Sequence, residues 1–176
     1  MSEFIIFSDP HYQRNLSKSL LLKNGRTSWL DTQINLTHKL FKYAEENNIA
    51  TIIVNGDIFH EKNLINTSIY NEVWDLFKQY SKDFRIIFNT GNHDFLNLSR
   101  VSALYPFTSL LDVVQVPIDI TLDNDLIRIV PFGMLSSTSL QLPEGTYEHR
   151  VLCTHEDIQG FKYSSGQDIE ASLKIY

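Results

Sequence analysis

The residues able to do chemistry in this chain fall in four short polar clusters, each placed directly after an apolar run. Asp9-Pro10-His11 follows Phe4-Ile5-Ile6-Phe7, and Gly56-Asp57 follows Thr51-Ile52-Ile53-Val54. Gly91-Asn92-His93-Asp94 follows Phe84–Phe88, and His155 follows Val151-Leu152-Cys153. Carboxylate, imidazole and amide oxygen suit Mn²⁺, Fe²⁺, Zn²⁺ or Mg²⁺ better than a thiolate-seeking metal. Loops at the carboxyl ends of strands gather ligand sites in α/β sheets. Four clusters of compatible donors therefore point to one metal centre, built from Asp9, His11, Asp57, Asn92 and His155. An aspartate such as Asp57 can bridge two ions about 3.5–4 Å apart with its two oxygens. Such a pair clamps a phosphate, activates water and stabilises charge on the attacking and leaving oxygens, which is phosphoester cleavage.

Asp9 and His11 are expected to reach the centre together from one extended strand end, because alternate residues share a face. His93 follows the ligand amide directly, so its ring points elsewhere and can protonate a leaving oxygen as general acid. Asp94 is expected either to orient that ring or to cap the next segment. Each cluster taken alone has a simpler explanation. Asp-x-His and Gly-Asp are common in turns, Asn and Gly are ordinary turn formers, and a lone histidine is more often structural. The specificity lies in the order of the clusters, their strand-end placement and their agreement in donor type.

Strands are predicted over 3–8, 50–55 and 84–89, with helices over 29–46 and 67–81. Leu30, Ile34, Leu40, Phe41 and Ala44 lie near one face of the first helix; Ile69, Val73, Leu76, Phe77 and Tyr80 share helical spacing in the second. Thr27 or Ser28 suits the first helix as N-cap, and Asp31 suits its first turn. A strand–helix–strand–helix–strand order favours parallel crossovers. After Pro106 the texture becomes β-rich, with short strands over 113–116, 118–122, 126–130 and 149–154 and a hairpin turn at Asp123-Asn124-Asp125. The expected fold class is mixed α/β, with one or two sheets covered by helices.

The 176 residues form one domain large enough for a substantial core. No apolar run approaches the 18 or so residues that cross a bilayer, and the N-terminus shows no signal-peptide pattern. Cys153 is the only cysteine, which excludes an internal disulfide and a cysteine-type zinc site and fits a reducing cytoplasm. The formal net charge of −6 counts against a DNA binder that works by charge alone. Two dications would bring it to about −2, with all the added charge inside the site. Trp74, Phe77 and Tyr80 read as core, His38 as structural or exposed, His149 as the start of a strand and Cys153 as a small buried residue. Lys18, Lys23 and Arg26 read as a solvated basic loop, with a DNA phosphate contact as the functional alternative.

Ser8-Asp9-Pro10-His11, Gly56-Asp57-Ile58-Phe59-His60, Gly91-Asn92-His93-Asp94 and Thr154-His155 together resemble the ordered motifs of the calcineurin-like metallophosphoesterases. Gly-Asp-Ile-Phe-His, with Arg128-Ile129-Val130-Pro131-Phe132-Gly133, resembles the SbcD-type recombination-repair nucleases within that superfamily, the phage recombination endonuclease subunit among them. The resemblance implies a four-layer α/β/β/α sandwich and a two-metal DNA nuclease. Mn²⁺ is the implied ion, and Mg²⁺, Fe²⁺ and Zn²⁺ are the alternatives. By position, Asp9, His11 and Asp57 hold one ion, and Asp57, Asn92 and His155 the other. His93 is the acid, and His60 matches a histidine that places the DNA strand; an exposed loop histidine is its plainer reading. The implied partners are DNA and an SMC-like coiled-coil ATPase, with homodimerisation common in the group, no membrane, and a cytoplasmic setting (the host's, for a phage protein).

One departure stands out. The pattern of the resembled family ends in Gly-His-x-His, and no histidine follows His155 here. The DNA-capping domain and the ATPase-binding segment are absent as well. The expectation is an N-terminal portion of a longer protein, with weakened metal affinity when the last ligands are missing. Two other readings accompany the nuclease: a phosphoesterase of small substrates, and a non-catalytic assembly module of the same fold.

Overall fold

The computed structural model describes residues 3–62, 64–95, 102–135 and 143–157. Four strands, β1 (Phe4–Phe7), β2 (Thr51–Asn55), β3 (Arg85–Asn89) and β4 (Asp112–Val114), form a parallel sheet in the order β1-β2-β3-β4. Helix α1 (Ser28–Glu46) joins β1 to β2, and α2 (Thr67–Tyr80) joins β2 to β3. A second sheet holds β5 (Ile118–Leu122), β6 (Asp125–Val130) and β7 (Arg150–Thr154) in sequence order. Strands β5 and β6 pair antiparallel, whereas β6 and β7 pair parallel.

Burial explains the layering. β2 reads Thr-Ile-Ile-Val-Asn and is buried on both faces, the pattern of a central parallel strand. Ile52 and Val54 pack with Ile86 and Phe88 against the helices; Ile53 and Ile87 point the other way, onto Ile127, Ile129 and Cys153 of the second sheet. That alternation is the period-two geometry of a strand. α1 presents Leu30, Ile34, Thr37, Phe41 and Ala44 to the core, and α2 presents Ile69, Val73, Leu76 and Phe77. Thr37 takes an inner position because its hydroxyl meets the buried Tyr12 hydroxyl at 2.6 Å, while Leu40 is only partly buried. Thr27 caps α1 by accepting from the Leu30 amide, and Asp31 lies in the first turn.

The described residues thus give helix, sheet and sheet. No helix covers the outer face of the second sheet among them, so the fourth layer of the expected sandwich falls outside the described residues. Three local differences have simple causes. The β5–β6 turn is Asp123-Asn124 alone, because Asp125 already pairs with Leu122 as the first residue of β6. β4 stops at Val114, so Gln115 and Val116 belong to the connection. His149 precedes β7, holding Asp125 Oδ1 through both its backbone amide and its ring. No helix among the described residues is long and apolar enough to cross a membrane.

Candidate metal centre

The carboxyl ends of β1, β2, β3 and β7 lie at one edge of the two sheets, and the polar clusters follow them. Asp57 is the hub. Its Oδ2 stands 3.3 Å from His11 Nε2 and 3.4 Å from His155 Nε2. Asp9 Oδ1 is 3.5 Å from His11 Nε2 and 3.9 Å from His155 Nε2. Ligands at right angles around an ion with bonds of about 2.1 Å are about 3 Å apart, so these separations fit a coordination shell.

Asn92 supplies the observation that tests whether a cation fits. One end of its amide lies 3.1 and 3.2 Å from the Asp57 carboxylate oxygens and 3.3 Å from His155 Nε2, a place where the NH₂ can donate to the carboxylate and where the oxygen would face a bound cation. Lone pairs facing lone pairs repel, unless the amide turns to donate or a cation lies among them. His155 is also prepared as a ligand. Its Nδ1 donates to the Asn55 carbonyl at 2.9 Å, which leaves Nε2 aimed at Asp57. Metal-binding histidines are oriented in this manner by their second nitrogen. Asp9, His11, Asp57, Asn92 and His155 are therefore brought together, and the donor set suits a hard or borderline divalent ion.

The route to this geometry differs from an extended strand end. Asp9, His11 and Asp57 all have left-handed backbones, with φ of +56°, +45° and +54°. β1 ends at Phe7, and the next residues follow the β2 loop: Asp9, His11 and Tyr12 donate to the carbonyls of Gly56, Asp57 and Ile58. Asp9 and His11 reach the centre from a curled loop, and the face-sharing expectation is corrected. Left-handed non-glycine residues cost of order 1–3 kcal/mol each and persist only where surrounding contacts fix them.

His93 sits beside the hub, its Nε2 3.9 Å from Asp57 Oδ2. Its ring is held by the His60 backbone carbonyl, which accepts from Nδ1 at 2.6 Å. Asp94 does not orient that ring, and the expectation is corrected. Asp94 is fully buried and accepts from the backbone amides of Asp57, Ile58 and Gly91 at 2.9, 3.0 and 2.8 Å. It ties the β2 loop to the β3 loop from beneath. Burial pushes its carboxyl up to about 7, and the amide donors hold it back. The His60 ring is exposed, with its centroid 5.4 Å from His11 and 5.7 Å from His93. Arg26 of the basic loop is engaged by Asp31 and Glu72.

Two glycines permit the close approach. Gly56 has φ +88°, and a Cβ there would lie 2.5 Å from His155 Nδ1. A Cβ on Gly91 would collide with the Asp57 carboxylate and amide. Gly91→Ala is accordingly expected to abolish metal binding while the helices persist. Calorimetric Mn²⁺ titration beside circular dichroism checks this, and parent-like affinity would refute the packing described.

The charges set a pH dependence. Burial opposes the His155 imidazolium, but Asp57, the Asn55 carbonyl and Asp9 outweigh it and hold the pKa up to about 9. Burial likewise opposes the Asp57 carboxylate, yet His155 and the His93 amide keep its pKa below the ordinary value. In metal-free protein the folded pKa of His155 exceeds the unfolded value of about 6.5. Its stabilisation is fully present below pH 6.5 and is lost as pH rises through about 9. Metal loading runs oppositely, because the ion must displace that proton. With chelator the melting temperature should fall between pH 7 and 9, whereas the increment from Mn²⁺ should grow. A flat chelated profile, unchanged by His155→Ala, would contradict this.

Fold and donor set together have the arrangement of a phosphoesterase-type domain. The chain belongs to the calcineurin-like phosphoesterase family, whose model it matches over residues 2–171. No curated protein sequence matches it. Among solved structures it is similar to the crystal structure of the Pseudomonas putida nuclease MPE. Identity is 19% with a TM-score of 0.47, over 93% of this chain and 65% of that one. The chain thus spans 65% of the length of that nuclease.

No histidine follows His155 in the sequence, and residues 158–176 lie outside the described residues. The sequence pointed to the five residues that converge but not to Asn55 and Asn89, each the polar end of an apolar strand. That switch from apolar to amide was the available signal.

Proposed function

We propose that this protein is a nuclease subunit that hydrolyses DNA phosphodiesters with two divalent ions, Mn²⁺ foremost, in recombination and repair, beside an SMC-like coiled-coil ATPase. The observation that carries the hydrolytic part is the convergence of Asp9, His11, Asp57, Asn92 and His155 on the Asp57 carboxylate, with His93 Nε2 at its edge. The nuclease branch is supported by Gly56–His60 and Arg128–Gly133, which resemble SbcD-type enzymes.

Bound ions supply charge stabilisation and a water of lowered pKa. Asp9 and His11 would hold one ion, Asn92 and His155 the other, and Asp57 would serve both. His93 gives its Nε2 proton to the leaving oxygen. The neutral ring that remains keeps its Nδ1 proton on the His60 carbonyl, so its aim is unchanged by the transfer. His60, exposed at the rim, places the substrate strand.

The second reading is a phosphoesterase of small substrates, favoured by the net charge of −6. Mn²⁺-dependent cleavage of duplex and single-stranded DNA, measured beside a chromogenic phosphodiester, separates the two. Turnover of the small ester with none on DNA removes the nuclease reading. His93→Ala is expected to lower the DNA rate by about 10²–10⁴-fold without loss of metal. A parent and variant equally inert would favour a non-catalytic module instead.

A further inference from the structure

The last rungs of the two sheets are joined by side-chain amides. Asn55 ends β2 and Asn89 ends β3, directly opposite in register. Val130 ends β6 and Thr154 ends β7, likewise opposite. Asn89 Nδ2 donates to Asn55 Oδ1 at 2.9 Å and to the Val130 carbonyl at 3.1 Å. Asn55 Nδ2 donates to the Thr154 carbonyl at 2.9 Å. Asn89 Oδ1 accepts from the Thr90 amide at 3.1 Å, and Asn89 is fully buried. The carbonyl of Asn55 accepts from Ser8 Oγ and from His155 Nδ1, both at 2.9 Å.

Elsewhere the sheets meet through Ile53, Ile87, Ile127, Ile129 and Cys153. Apolar contact is non-directional and leaves small sliding motions cheap. Buried amides are directional, and breaking one strands its partner at about 1–3 kcal/mol. The amide rung lies at the metal end, where His155 follows Thr154, Asp57 lies two residues past Asn55 and Asn92 three past Asn89. The β6 loop is held to this end too: Phe132 donates to the Thr90 carbonyl, and Glu156 accepts from the Gly133 amide at 2.6 Å.

We infer that Asn55 and Asn89 are positioning residues that lock the second sheet in register with the first, so that His155 reaches the half of the site built on β2 and β3. This rests on the reading of the site as a metal centre. Losing an outer contact of this kind costs about 10–100-fold in metal affinity.

The test is Mn²⁺ titration calorimetry with thermal melting on the parent, Asn55→Ala, Asn55→Asp and Ile129→Val. Asn55→Ala should weaken Mn²⁺ binding about 10–100-fold. Asn55→Asp keeps the acceptor for Asn89 but loses the donor to Thr154, so it should weaken binding as well. Ile129→Val loosens the same interface without touching an amide, and should leave affinity within about twofold for a comparable melting loss. Should Asn55→Ala not fold, Asn55→Asp carries the comparison. Parent-like affinity in the Asn55 variants, or affinity that tracks melting temperature across all variants, would overturn the clamp alone. A parent that binds no Mn²⁺ would overturn the metal-centre reading and the clamp with it.

Discussion

Asp57→Asn should leave a folded protein without Mn²⁺-dependent hydrolysis, the rate falling by at least about 10³-fold. Asp57 Oδ2 is the atom on which the site converges, within 3.3–3.4 Å of His11 and His155 nitrogens and 3.1 Å of the Asn92 amide. An amide there would offer bound ions one oxygen in place of two and removes the buried carboxylate of the cluster, since Asp9 is half-exposed. Metal chemistry is worth several kcal/mol of transition-state stabilisation, and each 1.36 kcal/mol is a factor of ten. The fold should persist, because the asparagine oxygen can keep the bond that Asp57 Oδ1 accepts from the His93 amide. The checks are phosphodiesterase rate, Mn²⁺ affinity and melting curve on one preparation. Activity within tenfold of the parent, at saturating Mn²⁺, would remove Asp57 from the centre.

Asp94→Ala acts through stability. It orphans the backbone amides of Asp57, Ile58 and Gly91 in a dry interior. At about 1–3 kcal/mol for each unsatisfied buried donor, the loss is about 3 kcal/mol or more. For a chain of this length that is a fall of about 6–12 °C in melting temperature. The left-handed Asp57 backbone loses the support that offsets its strain, so metal affinity should drop as well. Asp94→Asn should fall between parent and alanine: one oxygen still accepts, but the new NH₂ faces an amide donor. An Asp94→Ala protein melting within 2 °C of the parent would show that the loop is held by something else. That result would restore a role for Asp94 beyond scaffolding.

Both predictions bear on how much could be read without coordinates. α1 and α2 were legible to within a residue at each end, because apolar positions at helical spacing mark a buried stripe and Thr27 is a good N-cap. The strands were legible because each apolar run stops at a polar turn. The residues that converge were legible because few side-chain types, carboxylate, imidazole and amide oxygen among them, suit a hard divalent cation. Roles set by direction were not. Nothing in Asn92-His93-Asp94 tells that the third residue turns inward to three amides while the second leans on the His60 carbonyl.

The sequence by itself determined which donors exist, in what order, and that each follows a strand. Those facts depend on local composition and period, which travel with the chain. Tertiary structure alone decided that Asp57 is the meeting point, that Asp9 and His11 arrive on a left-handed curl, and that paired amides hold the two sheets at the metal end. Each of these depends on contacts between residues 30 to 100 positions apart, such as His155 with Asn55 and Asn89 with Val130. Distances of that kind arise only once the hydrophobic layers have chosen their packing.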